Sequence, residues 1–267
     1  MRPRVWFAGA ILLTMTASGR GAAQEPGQTG PMKPPPAKRE IKRIPLEAAP
    51  EAPPIPVEEI IQRFTARESE FKRARDRATY RQTVRVQEFE EDGTAGGEYV
   101  VSSEITPGAD GVRTARVVNE TASTLRRASF APEDLDDLAR LPAFVLTRES
   151  LQKYELTYAG VQPVDELTTY AFRVRPKTLE RRTRYFEGVV WVDNRDLEIV
   201  RTYGKFVSEV EQPEEVLFKL FETYRDSVEG KLRFPIYMRS DDVVKSKKGE
   251  ARVRLTVRWT DFKVPPQ

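Results

Sequence analysis

Arg182–Phe206, RTRYFEGVVWVDNRDLEIVRTYGKF, is the stretch whose reading decides the fold. Two runs of aromatic and β-branched residues flank the polar turn Asp193-Asn194-Arg195-Asp196, the pattern of a β-hairpin. The first run is apolar on both alternating registers, with Phe186, Val190 and Val192 on one and Tyr185, Val189 and Trp191 on the other. A strand covered on both faces lies inside a packed sheet or in the wall of a cavity. The rest of the mature chain is expected to build an antiparallel sheet around this hairpin. Trp191, on the register opposite Phe186 and Val190, is expected to pack beneath the first helix or a cover element.

Period-two alternation recurs on both sides of the hairpin. It marks strands over Tyr80–Phe89, Glu98–Ile105, Val112–Asn119, Tyr154–Gly160, Leu167–Arg175, Leu232–Arg239 and Arg252–Trp259. Glu91–Gly97, Pro107–Gly111, Asp226–Lys231 and Lys245–Gly249 read as turns, and connections this short favour antiparallel neighbours. Val216–Arg225 (VLFKLFETYR) reads either way: β-propensity favours a strand, while Pro213-Glu214-Glu215 could start a helix. The strand is preferred, since a Gly turn and a partner run follow it.

Val57–Ala78 is the strongest helix. Val57, Ile60, Ile61, Phe64, Phe71, Ala74 and Ala78 fall near one stripe, with acids at the start and arginines at the end. Ala131–Tyr154 interrupts the sheet with two short helical patterns, one starting at Pro132-Glu133-Asp134 and one over Thr147–Lys153. Such an insertion is expected to cover a sheet face. About ten strands, one long helix and this insertion make one α+β domain over residues 57–267.

Residues 1–23 fit a secretory signal peptide, with Arg2 and Arg4 before the apolar stretch Val5–Ala17 and small residues at Gly21-Ala22-Ala23. The apolar stretch is too short to span a bilayer, and no membrane-spanning segment is expected in the mature chain. Residues 24–56 are rich in Pro, Gly, Ala and Glu and read as a disordered or partly polyproline-II tether. The formal charge of +3 is carried by Arg2, Arg4 and Arg20, so the remainder balances 41 acids with as many bases. That removes the electrostatic basis for a nucleic-acid partner.

The chain has no His and no Cys, which removes the commonest nucleophile–base pairs, zinc sites and disulfides. Asp136/Asp137 and Asp241/Asp242 lie in segments expected to be exposed, and adjacent residues do not share a strand or helix face. Gly93–Gly97 reads as part of a hairpin turn, not a phosphate loop. Neither an enzyme, a cofactor nor a metal site is expected. Arg81, Arg85, Arg173, Arg175, Arg252, Arg254 and Arg258 read as an exposed sheet face that resists edge pairing.

More informative is the aromatic and aliphatic excess on one sheet face. A curved sheet partly closed by helices can enclose an apolar cavity, in which an acyl chain gains about 0.8 kcal/mol per CH₂. Alternation points Val84, Val86, Tyr99, Val101, Phe172, Phe186, Val190, Val253, Leu255 and Val257 inward. The same residues could equally pack on one another.

The succession FKRARDRATYRQTVRVQEF (71–89), GVVWVDNRDLEIVR (188–201), EGKLRFPIYM (229–238) and VRLTVRWTDFKV (253–264) resembles the LolA/LolB-like superfamily of periplasmic lipoprotein carriers and outer-membrane lipoprotein-sorting proteins. The resemblance implies an open, incomplete β-barrel with helices as a lid over a hydrophobic cavity. It implies a periplasmic role in holding acyl chains of lipoproteins or other lipids. The long Pro-rich tether and the absence of a lipobox Cys depart from that pattern. The other expectation is an envelope sensor or protein-interaction module with a filled core and an envelope protein partner.

Overall fold

The computed structural model describes residues 52–108, 113–128, 144–180, 183–209, 220–228, 230, 232–246 and 249–265. The expected signal peptide, residues 24–51 of the tether and the first helical pattern of the insertion lie outside the described residues.

Helix α1 spans Val57–Arg77, with Glu58 and Glu59 in its first turn and Arg75 and Arg77 in its last, each sign matching the helix dipole. It buries Ile60, Phe64, Thr65, Glu68, Phe71 and Ala74, a single stripe at three- and four-residue spacing. Ala78 leaves helical geometry (φ −71°, ψ 146°), and the first strand begins at the next residue.

The strands are β1 (Thr79–Phe89), β2 (Ala95–Pro107), β3 (Arg113–Glu120), β4 (Tyr154–Val164), β5 (Leu167–Pro176), β6 (Tyr185–Asp193), β7 (Ile199–Val207), β8 (Leu220–Val228), β9 (Leu232–Ser246) and β10 (Gly249–Lys263). A four-residue helix α2 spans Arg148–Leu151, capped by Thr147, whose hydroxyl accepts the Ser150 amide. All strands join one antiparallel sheet in the order β3-β2-β1-β10-β9-β8-β7-β6-β5-β4. β3 and β4 are its two edges, so the sheet does not close. The chain lays down β1–β3 toward one edge and resumes with β4 at the other. It then returns strand by strand until β10 meets β1.

The opening hairpin is β6–β7, with Val190 opposite Thr202 and Gly188 opposite Gly204. Its turn is longer than the four polar residues suggest: the Leu197 amide donates to Asp193 O (3.1 Å), and buried Leu197 takes a positive φ of 55°. Val216–Lys219 of the ambiguous run lie outside the described residues; from Leu220 onward it is strand, paired with β7 from Leu220 to Tyr224 and with β9 from Glu222 to Val228. The Gly93–Gly97 stretch is turn only at its start, where Gly93 has φ 86°; β2 already begins at Ala95.

The sheet curves around α1. Phe64 packs its ring 5.5 Å from that of Phe172 on β5, and the same apolar cluster contains Val84 of β1 and Val257 of β10. Residues from strands far apart in the sheet order reach one helix only if the sheet wraps it. Farther along α1, Phe71 meets Phe234 of β9 edge-on at 5.2 Å.

Two sequence expectations fail on the outer, convex face. Trp191 does not lie beneath a helix: it packs with Val164, Ala171 and Val200, donates Nε1–H to Gln162 Oε1 (2.9 Å) and carries the Arg201 guanidinium 4.6 Å above its ring. Its long neighbours bury it by folding their stems across the ring. Arg254 is not exposed either. It is 7% accessible, lies over the Phe89 ring and donates Nε–H to Asp241 Oδ1 (2.8 Å). Asp241 also accepts from Arg239 Nε (2.9 Å), which draws it out of the exposed setting expected for it.

Candidate functional site

The concave face of the sheet and the elements seated in it form the site. Eight of the ten inward residues expected from alternation meet in one cluster: Val84, Val86, Phe172, Phe186, Val190, Val253, Leu255 and Val257, each at most 2% accessible. Val101 packs against this cluster half-buried. Tyr99 is buried outside it; its hydroxyl donates to Glu120 Oε1 (2.5 Å), and burial followed by that carboxylate pushes the phenol up to about 12.

Three pieces cover this floor. The first is α1, through Ile60 and Phe64. The second is the segment Phe144–Thr147, whose Phe144 ring stacks on Phe186 at 4.1 Å and 20°. The third is the stretch that follows β3, held by Glu88: its buried carboxylate accepts the amides of Arg126 (2.9 Å), Arg127 (2.8 Å) and Ala128.

Phe186 sits at the centre of an aromatic group containing Phe144, Phe206 and Phe221. Its ring lies over the cross-strand pair Gly188–Gly204, where an added Cβ would come 2.8 Å and 2.7 Å from the Phe186 ring tip. Two side chains are missing there so that one ring can lie flat on the sheet. Alternation announces Phe186 but not the reason for the two glycines.

Sequence reading missed the charged pair in this apolar setting. Arg225 of β8 donates Nη1–H to Glu68 Oε1 of α1 (2.7 Å), and both side chains are 2% accessible. Arg225 also donates to Phe144 O and lies 4.6 Å from the Phe71 ring centre. Glu68 Oε2 accepts the Leu146 amide at 3.4 Å. One guanidinium thus binds α1, the Phe144–Thr147 segment and the sheet together. The signal was available: Glu68 falls on the stripe Ile60-Phe64-Glu68-Phe71, and Arg225 shares its register with Phe221 and Thr223. Charged residues default to the solvent face, which hid both.

A second polar group anchors the rim. Glu198, after the β6–β7 turn, accepts the Arg233 amide (2.9 Å) and pairs with Arg67 of α1. Arg233 in turn spans Asp193 (2.9 Å) and Asp196 (3.0 Å). Burial lifts the Glu198 carboxyl above the usual carboxylate range, against the pull of the Arg233 amide and Arg67.

At the other end of α1, Arg113 donates to Ala78 O (3.2 Å) and to Arg75 O, so β3 holds the helix where it turns into β1. Among the described residues no cluster of acidic side chains has the spacing to hold a metal ion, and no helix is long and apolar enough to cross a membrane. The site offers an apolar floor, the buried Arg225–Glu68 pair and a cover of α1 and short segments.

No protein-family model and no curated protein matches the chain. Among solved structures, the chain is similar in fold to a DUF1329 family protein from Desulfovibrio piger (14% identity, 78% of this chain and 93% of that one, TM-score 0.37). It is also similar to a LolA superfamily protein from Nitrosomonas europaea (15% identity, 76% and 94%, TM-score 0.33). A third likeness is to an outer membrane lipoprotein-sorting protein domain from Vibrio parahaemolyticus (12% identity, 74% and 90%, TM-score 0.34). These likenesses concern the fold, and neither ligand nor partner is transferred from them.

Proposed function

We propose that this chain is an exported, non-catalytic binding or carrier protein of the cell envelope that takes acyl chains of lipoproteins or other lipids into the concave face of its sheet. Residues 1–23 direct export, and residues 24–56 tether the lipid-binding domain. The supporting observation is the nature of the filling. Among the described residues, an apolar floor built from strands β1 and β4 to β10 is covered by helix α1 and short segments, not by a second sheet. Helix α1 continues directly into β1 through Ala78, so it can swing about that joint without breaking a strand pair. An acyl chain that replaced Ile60, Phe64 and Phe144 would meet the same floor, including Val86, Phe172, Phe186 and Leu255.

The test is native mass spectrometry of protein purified from envelope extract, together with uptake of a fluorescent long-chain fatty acid and of its methyl ester. Lipid adducts and saturable uptake are expected. Apo protein alone, with uptake of neither probe, would overturn the reading.

A second reading is favoured by the close packing itself. With Ile60 and Phe64 fully buried in the concavity, the same fold serves as an envelope sensor or interaction module with a permanent core. Its partner-binding feature would be the edge strand β3, exposed along most of its length, with Val117 55% and Val118 40% accessible. Under that reading α1 never leaves and no acyl probe is taken up.

A further inference from the structure

Arg225 brings a positive charge into the apolar floor, and the source of its compensation is informative. Among the described residues, each partner of its guanidinium belongs to the cover: Glu68 and the Phe71 ring on α1, and the Phe144 carbonyl on the crossing segment. Its Nε is buried with no hydrogen-bond partner among the described residues. The carboxylates of the neighbouring sheet are engaged elsewhere. Glu88 binds the amides of 126–128, and Glu222 faces the convex side, where it pairs with Arg201 and Tyr224.

A buried ion pair contributes little net stability compared with an apolar pair of the same shape, whereas a buried charge without its partner is strongly unfavourable. When α1 and Phe144 leave the floor, Arg225 loses all of these partners together. A neutral chain entering in their place would strand the guanidinium beneath it. A chain that ends in an anion would not.

We infer, building on the carrier reading, that the ligand is an anionic amphiphile whose carboxylate or phosphate head replaces Glu68 on Arg225 while its chain replaces Ile60 and Phe64. Glu68 is then the internal stand-in for the ligand head, held 2.7 Å from Arg225 when the site is closed. The fork of the guanidinium suits a bidentate carboxylate or phosphate: the unpartnered Nε lies on the same side as Nη2, so both donors face an incoming anion once the Phe144 carbonyl has left Nη2. The exchange conserves charge in the floor, so opening and loading are coupled: the cover leaves readily only when another anion arrives.

The experiment measures displacement of a neutral fluorescent acyl ester from the full chain at pH 7.5 by palmitate, palmitoyl lysophosphatidate and methyl palmitate. The wild type is expected to bind at least one of the two anions about tenfold or more tighter than the methyl ester, the range of a hydrogen bond to a charged group. Whichever anion competes better identifies the head as carboxylate or phosphate. Glu68→Gln should tighten the anions relative to the ester. In Glu68→Met/Arg225→Met, which leaves no lone buried charge, the ratio of anion to ester affinity should fall to about one. Equal affinities in the wild type, or a preference that survives in the double variant, would overturn the inference while leaving the carrier reading standing. Binding of no acyl probe would overturn both.

Discussion

The Phe186 ring and the Gly188–Gly204 pair beneath it are one unit, and Gly188 is its most sensitive point. A Cβ there would lie 2.2 Å from Tyr203 O and 2.6 Å from Gly204 Cα, both backbone atoms that cannot swing aside. Gly188→Ala is therefore expected to lower stability by about 1–3 kcal/mol through overpacking, seen as a lower denaturant midpoint with an unchanged slope. Glu198 supplies a pH test. Its folded carboxyl is held above the unfolded value, so its contribution is full below about pH 4.3 and is lost as pH rises through the folded value. The unfolding free energy of the wild type minus that of Glu198→Gln should fall as pH is raised from 4 toward neutrality. A difference that is flat or rises would refute the assignment. At this scale the sequence is legible where alternation and polarity agree, as at Val84, Phe172 and Leu255. It misleads where a charge is buried, as at Glu68, Arg225 and Arg254, because pairing is a property of the fold and not of the residue.

Among the elements, α1 has two roles that pull in opposite directions: it completes the core and it occupies the place assigned to the ligand. Phe64→Ala separates them. Loss of a fully buried ring against Phe172 should destabilise the protein by about 3–5 kcal/mol in equilibrium unfolding. The same change should raise uptake of the acyl methyl ester, since the cover is weakened and the floor is untouched. Reduced uptake by folded Phe64→Ala protein would argue that α1 is permanent core. Helix α1 was readable because its stripe repeats over 21 residues. β8 is ambiguous in sequence because a short apolar run has no period of its own, and its pairing with β7 and β9 decides it. The convex setting of Trp191 was hidden for a related reason. Two apolar registers show that both faces are covered, but not that Arg201 and Gln162, instead of a helix, cover one of them.

At the scale of the whole molecule, the sheet and its cover should open independently. Hydrogen exchange is expected to show α1 amides exchanging through a partial opening, well before those of β6 and β10 at the centre of the core. One common rate for helix and sheet would mean a single indivisible unit. Strand number and antiparallel character follow from period-two runs and short turns. The order of the strands does not, because it depends on two non-local events: the crossing from β3 to β4 and the meeting of β1 with β10. That meeting also governs how the molecule comes into being. β1 pairs with β10 through Thr79↔Lys263 to Phe89↔Arg252, joining segments separated by most of the chain. As the chain emerges from its N-terminus, β1, β2 and β3 make a ribbon whose inner edge has no partner until the last strand arrives. Loop closure over such a distance slows folding, and the apolar floor stays bare meanwhile. The interval before β10 arrives is therefore when this protein most needs a chaperone to shield it from aggregation.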